Sequence, residues 1–330
     1  MSTKIDNFFI IKDSGATKNL PRKYFCIQAF GKKRNILYNF GMKYAVVDIG
    51  SNSVRLMLSQ DGVSVKKFVT TTGLGRGLAT TGKLDTYNLA ITLDVLADYR
   101  KTAEKWGANE IFFFATEAVR RADNRADFLF QARERGIEID VLPSQIEAKI
   151  GFLGAYTEGV CCVVDIGGAS TEIAVGDERG LIYSKSLPIG LAVLNDECKE
   201  DVDALQDYVA KTLRGYGQVP KFDHLLSIGG TSATFVTMQE QMIEYDSKIV
   251  DMYRLNRDIV VDLCRRVHAT PIEQRGCFAG LEVKRRDLIV GGGILLVGIM
   301  DMLGRDSVIV RDSDNLEGYL EYKTMTEVAE

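Results

Sequence analysis

From residue 42 onward, apolar positions fall into strand-like and helix-like runs in regular succession. Residues 44–48, 54–59 and 63–69 are rich in β-branched side chains, and their spacing predicts a three-strand meander. A glycine-rich turn, Gly73-Leu-Gly75-Arg-Gly77, follows. Leu89, Leu93, Leu96, Ala103 and Trp106 then keep helical spacing, so 85–106 reads as one amphipathic helix. Next come a very apolar strand at 111–115, a helix over 126–135, a strand at 138–142 and a helix from Ser144. The second half repeats this order, with strands at 161–165, 172–175 and 181–187, a helix over 202–214 and a strand at 224–228. Helices are expected to dominate from there to the end.

The first strand of each half closes in the same way. One reads Tyr44-Ala-Val-Val-Asp48-Ile-Gly50-Ser-Asn-Ser53, the other Cys162-Val-Val-Asp165-Ile-Gly167-Gly-Ala-Ser170-Thr171-Glu172. Glycine lets such a turn bend tightly and approach a ligand. Turn amides and hydroxyls can hold phosphate oxygens. An aspartate there suits Mg²⁺, a hard cation that takes oxygen ligands and keeps several waters. Two such turns facing each other would form a phosphate clamp between two similar units.

Bulk properties narrow the partners. The 330 residues suffice for two cores, and 46% apolar with 26% charged is an ordinary globular composition. A net charge of −4 gives no global attraction to nucleic acid or to an anionic membrane. Six cysteines without a C-x-x-C pattern read as reduced thiols of a cytoplasmic protein. His224 and His268 are too few for a histidine-rich metal site. No signal peptide is evident, and the apolar run at 288–300 is too short to span a bilayer, so it reads as a buried helix. Residues 1–41 carry basic residues without sustained periodicity and read as a disordered extension; Met42 stands directly before the first strand as an alternative start.

The ordered motifs resemble the exopolyphosphatase/guanosine pentaphosphate phosphohydrolase (Ppx/GppA) family. They are Val47-Asp48-Ile-Gly50-Ser-Asn-Ser53 with Arg55, then Ala115-Thr116-Glu-Ala-Val-Arg120-Arg-Ala-Asp-Asn124, then Ile146-Glu147-Ala-Lys149. Asp165-Ile-Gly167-Gly168-Ala-Ser170-Thr171-Glu172, Ile228-Gly229-Gly230-Thr231 and Arg286-Asp287-Leu-Ile-Val-Gly291-Gly292 complete the set, which spans about 42–322. The resemblance implies an α/β fold of two duplicated ribonuclease-H-like domains, the actin-like ATPase fold, with an interdomain cleft. Domain I would be 42–157 and domain II 158–330, with a C-terminal helix crossing back to domain I. The implied activity is Mg²⁺-dependent removal of the terminal phosphate from inorganic polyphosphate or guanosine pentaphosphate, with Mn²⁺ an alternative ion. A non-catalytic polyphosphate or guanosine tetraphosphate sensor, or an ATPase or phosphotransferase of the wider fold, remains open. Family members often dimerise, but no dimer surface is legible here. The length matches a short form without a histidine-aspartate domain.

Residue by residue, Glu147 matches the catalytic glutamate, where a carboxylate would take a proton from attacking water. Asp48, Asp165 and Glu172 are candidate Mg²⁺ ligands. Ser51, Asn52, Ser53, Gly167, Gly168, Ser170 and Thr171 would form two phosphate loops, and Gly229, Gly230 and Thr231 a third. Arg55, Arg120 and Lys149 are candidate phosphate clamps. Lys284 and Arg285 read as surface charge beside the family-matched Arg286. Two positions depart from the family. Ala169 replaces a third loop glycine, and its methyl would crowd the turn or shift it if positive φ is needed. Lys149 lacks the bidentate fork of arginine.

Overall fold

The computed structural model describes residues 24–26, 37–39 and 41–328, with side chains over 41–325. Its strands are β1 Tyr24–Cys26, β2 Leu37–Asn39, β3 Lys43–Ile49, β4 Ser53–Gln60, β5 Val63–Thr71, β6 Glu110–Ala115 and β7 Asp140–Val141. The second half supplies β8 Cys161–Ile166, β9 Thr171–Asp177, β10 Gly180–Leu187, β11 His224–Ile228, β12 Tyr253–Asn256 and β13 Ser307–Val310.

Two sheets share one topology. The first has strand order β5-β4-β3-β6-β7; the second runs β10-β9-β8-β11-β13-β12. In each, two antiparallel strands lie to one side of a central strand, which on its other side pairs in parallel with the strand after the first long helix. This is the duplicated ribonuclease-H-like arrangement of the actin-like ATPase fold. The second copy adds β12, antiparallel to β13.

Sequence reasoning missed β12 and β13. Both are four residues long, too short for the alternation to stand out among helices. The strand expected at 138–142 shortens to Asp140–Val141, an edge strand with two paired positions. The extension expected to be unstructured contains the antiparallel pair β1–β2; the rest of that expectation lies outside the described residues.

The central strands are buried on both faces, and their period of two divides them between cores. In β3, Ala45, Val47 and Ile49 join the core under the helix Thr86–Trp106, while Tyr44 and Val46 face Leu316, Tyr319 and Leu320 of the helix Asn315–Val328. In β8, Cys162, Val164 and Ile166 pack into the main second core. Cys161 and Val163 face Ala148, Phe152 and Ala155 of the helix Ser144–Ala155. Those two helices therefore lie between the sheets. They meet through glycine: a Cβ on Gly318 would strike the Ile150 carbonyl, and one on Gly154 the Asp314 backbone. The crossing carries Asp314 and Asn315 to the carboxyl ends of β3 and β8, where the strands release Asp48 and Asp165 toward a common cleft.

Candidate active site

The two Asp-x-Gly turns close alike, with Gly50 N donating to Ser53 O at 3.1 Å and Gly167 N to Ser170 O at 3.0 Å. Each loop is pinned from behind. Ser51 and Asn52 carbonyls accept from Gly75 N (2.7 Å) and Gly73 N (2.9 Å), while Gly167 and Gly168 carbonyls accept from Leu191 N (3.1 Å) and Ala192 N (2.8 Å). A Cβ on Gly190 would lie 2.6 Å from both carbonyl oxygens, so only glycine permits this approach. Across the cleft, a Cβ on Gly168 would stand 3.2 Å from Ser51 Cβ.

Between the loops lies a chamber of about 140 Å³ lined by five carboxylates, Asp48, Glu117, Glu147, Asp165 and Glu172, and two guanidiniums, Arg55 and Arg285. Arg55 is paired on both sides. It donates to Asp48 Oδ2 through Nη2 (2.5 Å) and Nε (3.0 Å), and it pairs with Asp314. Burial opposes the Arg55 charge, but these carboxylates hold its pKa above the ordinary value. Burial raises Asp48 despite Arg55, and its Oδ1 is buried without a partner. Burial also weighs against the charge on Asp314, but Arg55 and Lys67 outweigh it and lower that pKa.

Glu147 sits in the first turn of the helix Ser144–Ala155, where the macrodipole favours an anion. Its Oε2 accepts from Arg120 Nη1 at 2.8 Å; Arg120 also donates to the Leu142 carbonyl (2.6 Å) and pairs with Glu117. Burial pushes the Glu147 carboxyl up to about 7 against the pull of Arg120, with Asp165 and Asp48 adding to the rise. Asp165 accepts from Asn315 Nδ2 at 2.7 Å and is pushed by burial up to about 6. Glu172 accepts from Ser186 Oγ at 2.6 Å; burial, then Glu147 and Asp165, raise it well above the usual range.

A second chamber of about 580 Å³ adjoins the first and shares Ser53, Arg55, Gly229, Gly230 and Arg285 with it. Phe68, Val69, Met242, Ile243 and Leu281 contribute apolar surface, and at its mouth Val69 is 58% and Ile243 96% exposed. Lys67 pairs there with Asp312 (3.2 Å) and Glu317 (2.8 Å), and Arg311 with Asp251 (2.8 Å).

The residues at this cleft fit a known family. A model of the Ppx/GppA phosphatase family matches residues 46–325. The chain belongs to that family. It is 29% identical over 307 residues to the bifunctional 3-dehydroquinate synthase/phosphatase of Fusobacterium nucleatum, covering 83% of this chain. The match takes in 45% of that relative, so this chain spans less than half its length. Exopolyphosphatase 2 of Mycobacterium tuberculosis is 27% identical over 309 residues, with 84% of this chain and 97% of the relative covered. The crystal structure of the Aquifex aeolicus Ppx/GppA family member aligns with a TM-score of 0.74 at 28% identity, covering 87% of this chain and 98% of that one.

As a Ppx/GppA family member, the chain brings most of its sequence-singled residues to the chamber: Asp48, Ser51, Asn52, Ser53, Arg55, Glu147, Asp165, Gly167, Gly168, Ser170, Glu172, Gly229 and Gly230 all line it. Others lie elsewhere. Lys149 is exposed and stands 5.2 Å from the Tyr322 ring, because two residues past Glu147 a helix has turned well away. Thr171 alternates to the opposite face from Ser170 and Glu172, where its hydroxyl donates to Ile189 O at 2.6 Å. Thr231 is buried against the helix Ile289–Met302 and does not cap its own helix, whose N-cap is Gly229. Arg120 lies behind Glu147 rather than on the chamber wall. Ala169 is not in the left-handed region, so its methyl fits without backbone strain and the anticipated shift does not arise.

Four contributors escaped sequence reasoning. Glu117 lay inside a quoted motif but was masked by the arginines beside it. Asp314 and Asn315 follow the unrecognised β13. Arg285 looked like surface charge, yet its guanidinium occupies the notch left by the missing side chain of Gly230. The family-matched Arg286 instead folds back over Gly276 of its own segment.

Proposed function

We propose that this chain is a Mg²⁺-dependent phosphohydrolase that removes the terminal phosphate from a phosphoanhydride chain. The observation that carries this reading is the acidic chamber between two glycine-rich loops, with a buried carboxylate oxygen, Asp48 Oδ1, left unpartnered. A buried polar atom without a partner is costly. A phosphate entering beside five carboxylates meets two guanidiniums, one of them, Arg55, already paired, so an accompanying cation would supply the missing positive charge. Among the described residues no three acidic, histidine or cysteine side chains form a ready cage. The fit is therefore to an ion held by one or two carboxylates, here Asp48 and Asp165, and completed by substrate oxygens and water. When bound, Mg²⁺ or Mn²⁺ would neutralise phosphate charge and polarise the phosphoryl group.

The chain's own residues supply the rest. Amides of the 50–53 and 167–170 turns other than those of Gly50 and Gly167, which close the turns, cradle the terminal phosphate. Glu147 accepts the proton of the attacking water on a carboxylate oxygen, with a pKa suited to near-neutral pH. Arg120 holds that carboxylate in place. Arg285 grips the phosphate that follows the scissile bond, since its nearest carboxylate, Glu282, stands 3.5 Å away and is mostly exposed. The second chamber favours guanosine pentaphosphate over long polyphosphate: its wall is partly apolar and its other cations are already paired, which suits a nucleoside better than a polyanion. No helix among the described residues is long and apolar enough to cross a membrane, and we take the reaction to be cytoplasmic.

The test is a phosphate-release panel of long and short polyphosphate, guanosine pentaphosphate, ATP and pyrophosphate, each with and without Mg²⁺. Mg²⁺-dependent release, fastest from guanosine pentaphosphate, is expected. Fastest release from long polyphosphate would overturn the chamber argument. Binding without release from any substrate would leave a sensor.

A further inference from the structure

Arg275 is 1% exposed, a charged side chain sunk into the second unit away from both chambers. It makes a two-pronged pair with Glu200, with Nη2 2.7 Å from Oε2. Nε donates to the Thr270 carbonyl at 2.9 Å, and Nη1 donates to the Arg286 carbonyl at 2.5 Å. A buried ion pair is weak evidence of stabilisation, because apolar side chains of similar volume often serve as well. Its geometry asks for another account.

The backbone hydrogen bonds of the segment it grips are local turns, such as Leu281 N to Phe278 O (3.2 Å), Arg285 N to Glu282 O (3.0 Å) and Leu288 N to Arg285 O (3.1 Å). Between Phe278 and Leu288 there is one short 3₁₀ turn, Val283–Arg285, and no sheet ladder. Those turn bonds are internal to the segment, and side chains anchor it to its neighbours. At its start, Thr237 Oγ1 donates to the Gly280 carbonyl at 2.8 Å; at its end, Arg275 holds the carbonyl of Arg286, the residue directly after Arg285. On the other side, Glu200 lies in the turn that follows the helix Leu191–Cys198. The first two amides of that helix hold the carbonyls of Gly167 and Gly168. The pair thus ties the segment bearing Arg285 to the element that braces the second phosphate loop.

We infer that the Arg275–Glu200 pair is a positioning device for substrate binding, setting where the Arg285 guanidinium meets the phosphate at the junction of the two chambers. The inference rests on the reading of Arg285 as a phosphate grip.

The test uses the full chain and the best substrate of the release panel. It measures kcat, KM and the thermal midpoint for Arg275→Lys, Arg285→Gln, their double variant, and the apolar replacement Arg275→Met with Glu200→Leu. Arg275→Lys should raise KM roughly 10-fold while kcat changes by less than about threefold. In the Arg285→Gln background the same change should add less than about twofold, because Arg275 acts through Arg285. The Met/Leu pair should keep the thermal midpoint and still show the raised KM. Independent, multiplying KM effects in the double variant would overturn the inference, as would a folded Met/Leu variant with wild-type KM. If the Met/Leu variant does not fold, the lysine cycle decides alone. An unchanged KM in Arg285→Gln would remove the grip itself, and the inference with it; a raised KM there with multiplying effects sinks only the inference.

Discussion

Replacing Arg120 should move the pH dependence of the reaction in a calculable direction. Glu147 must be ionised to accept a proton, and burial holds its pKa near 7 even with Arg120 2.8 Å away. The wild-type kcat/KM should therefore rise with pH and level off above about 7. A neighbouring cation favours the carboxylate, so Arg120→Met must raise the Glu147 pKa. Close arginine–carboxylate pairs typically shift a pKa by about 1–3 units. Arg120 keeps some solvent exposure and shares its charge with Glu117, so the lower end applies, about one unit. At pH 7 the ionised fraction would then fall from about one half to about one tenth, a roughly fivefold loss that disappears near pH 9. The assay is initial-rate phosphate release across pH 5.5–9.5 at fixed free Mg²⁺. Glu147→Gln is the control: it should lower kcat by on the order of 10²-fold or more and abolish this limb, and any limb it retains belongs to the substrate or to Asp165, whose carboxyl burial pushes up to about 6. A uniform loss in Arg120→Met at every pH, or a limb displaced to lower pH, would refute the reasoning.

Other outcomes follow from the same geometry. Asp48→Asn and Asp165→Asn should each raise the Mg²⁺ concentration for half-maximal rate, and the double variant should depart from the sum of the singles; additive losses with unchanged Mg²⁺ dependence would exclude a shared ion. Glu147, Asp165 and Glu172 all have native pKa values raised above their ordinary ones. The native state therefore binds more protons than the unfolded state between about pH 4 and 7, and thermal stability without Mg²⁺ should fall as pH rises through that window. A midpoint that rises from pH 5 to 7.5, or one that Glu172→Gln leaves equally steep, would contradict this. Gly154→Ala should lower the thermal midpoint by a few degrees, since overpacking costs about 1–3 kcal/mol and helix propensity returns about 1 at most. An unchanged midpoint would mean the crossing helices have room to separate.

How much was legible depended on whether a residue's role was local. Strands β3 to β6 and β8 to β11 announce themselves by alternation and β-branched runs, and the helix Thr86–Trp106 by its spacing; the structure adds that the Asp85 side chain caps it, accepting from Tyr87 N and Asn88 N. The two acidic turns are local too, so their loop residues were readable. Lys149 and Thr171 point away from the chamber for a geometric reason: each sits one or two positions from a chamber-lining residue but on another face of its helix or strand. Arg285, Asp314 and Asn315 failed because their roles depend on long-range placement. Asp314 reaches Arg55 and Asn315 reaches Asp165 only after the helix Asn315–Val328 crosses between the sheets. No local pattern encodes that approach, although the glycines at its contact, Gly154 and Gly318, are its trace in the sequence.

The duplication holds in the backbone plan of the shared strands and breaks in charge, and the break gives the site its direction. In the first sheet, the cross-strand partner of Asp48 is Arg55; in the second, the partner of Asp165 at the same register is Glu172. An opposite charge across a strand pair stabilises it, whereas like charges directly opposite do the reverse. One half therefore neutralises its aspartate, and the other leaves two carboxylates facing each other with only Asn315 and Ser186 as hydrogen-bonding partners from outside the turn. On the proposed reading, the carboxylates that a cation would answer lie mainly on the second half, while the unpartnered oxygen of Asp48 lies on the first. A cation arriving with a phosphate would relieve both across the narrow gap between the loops, where a Cβ on Gly168 would stand 3.2 Å from Ser51 Cβ.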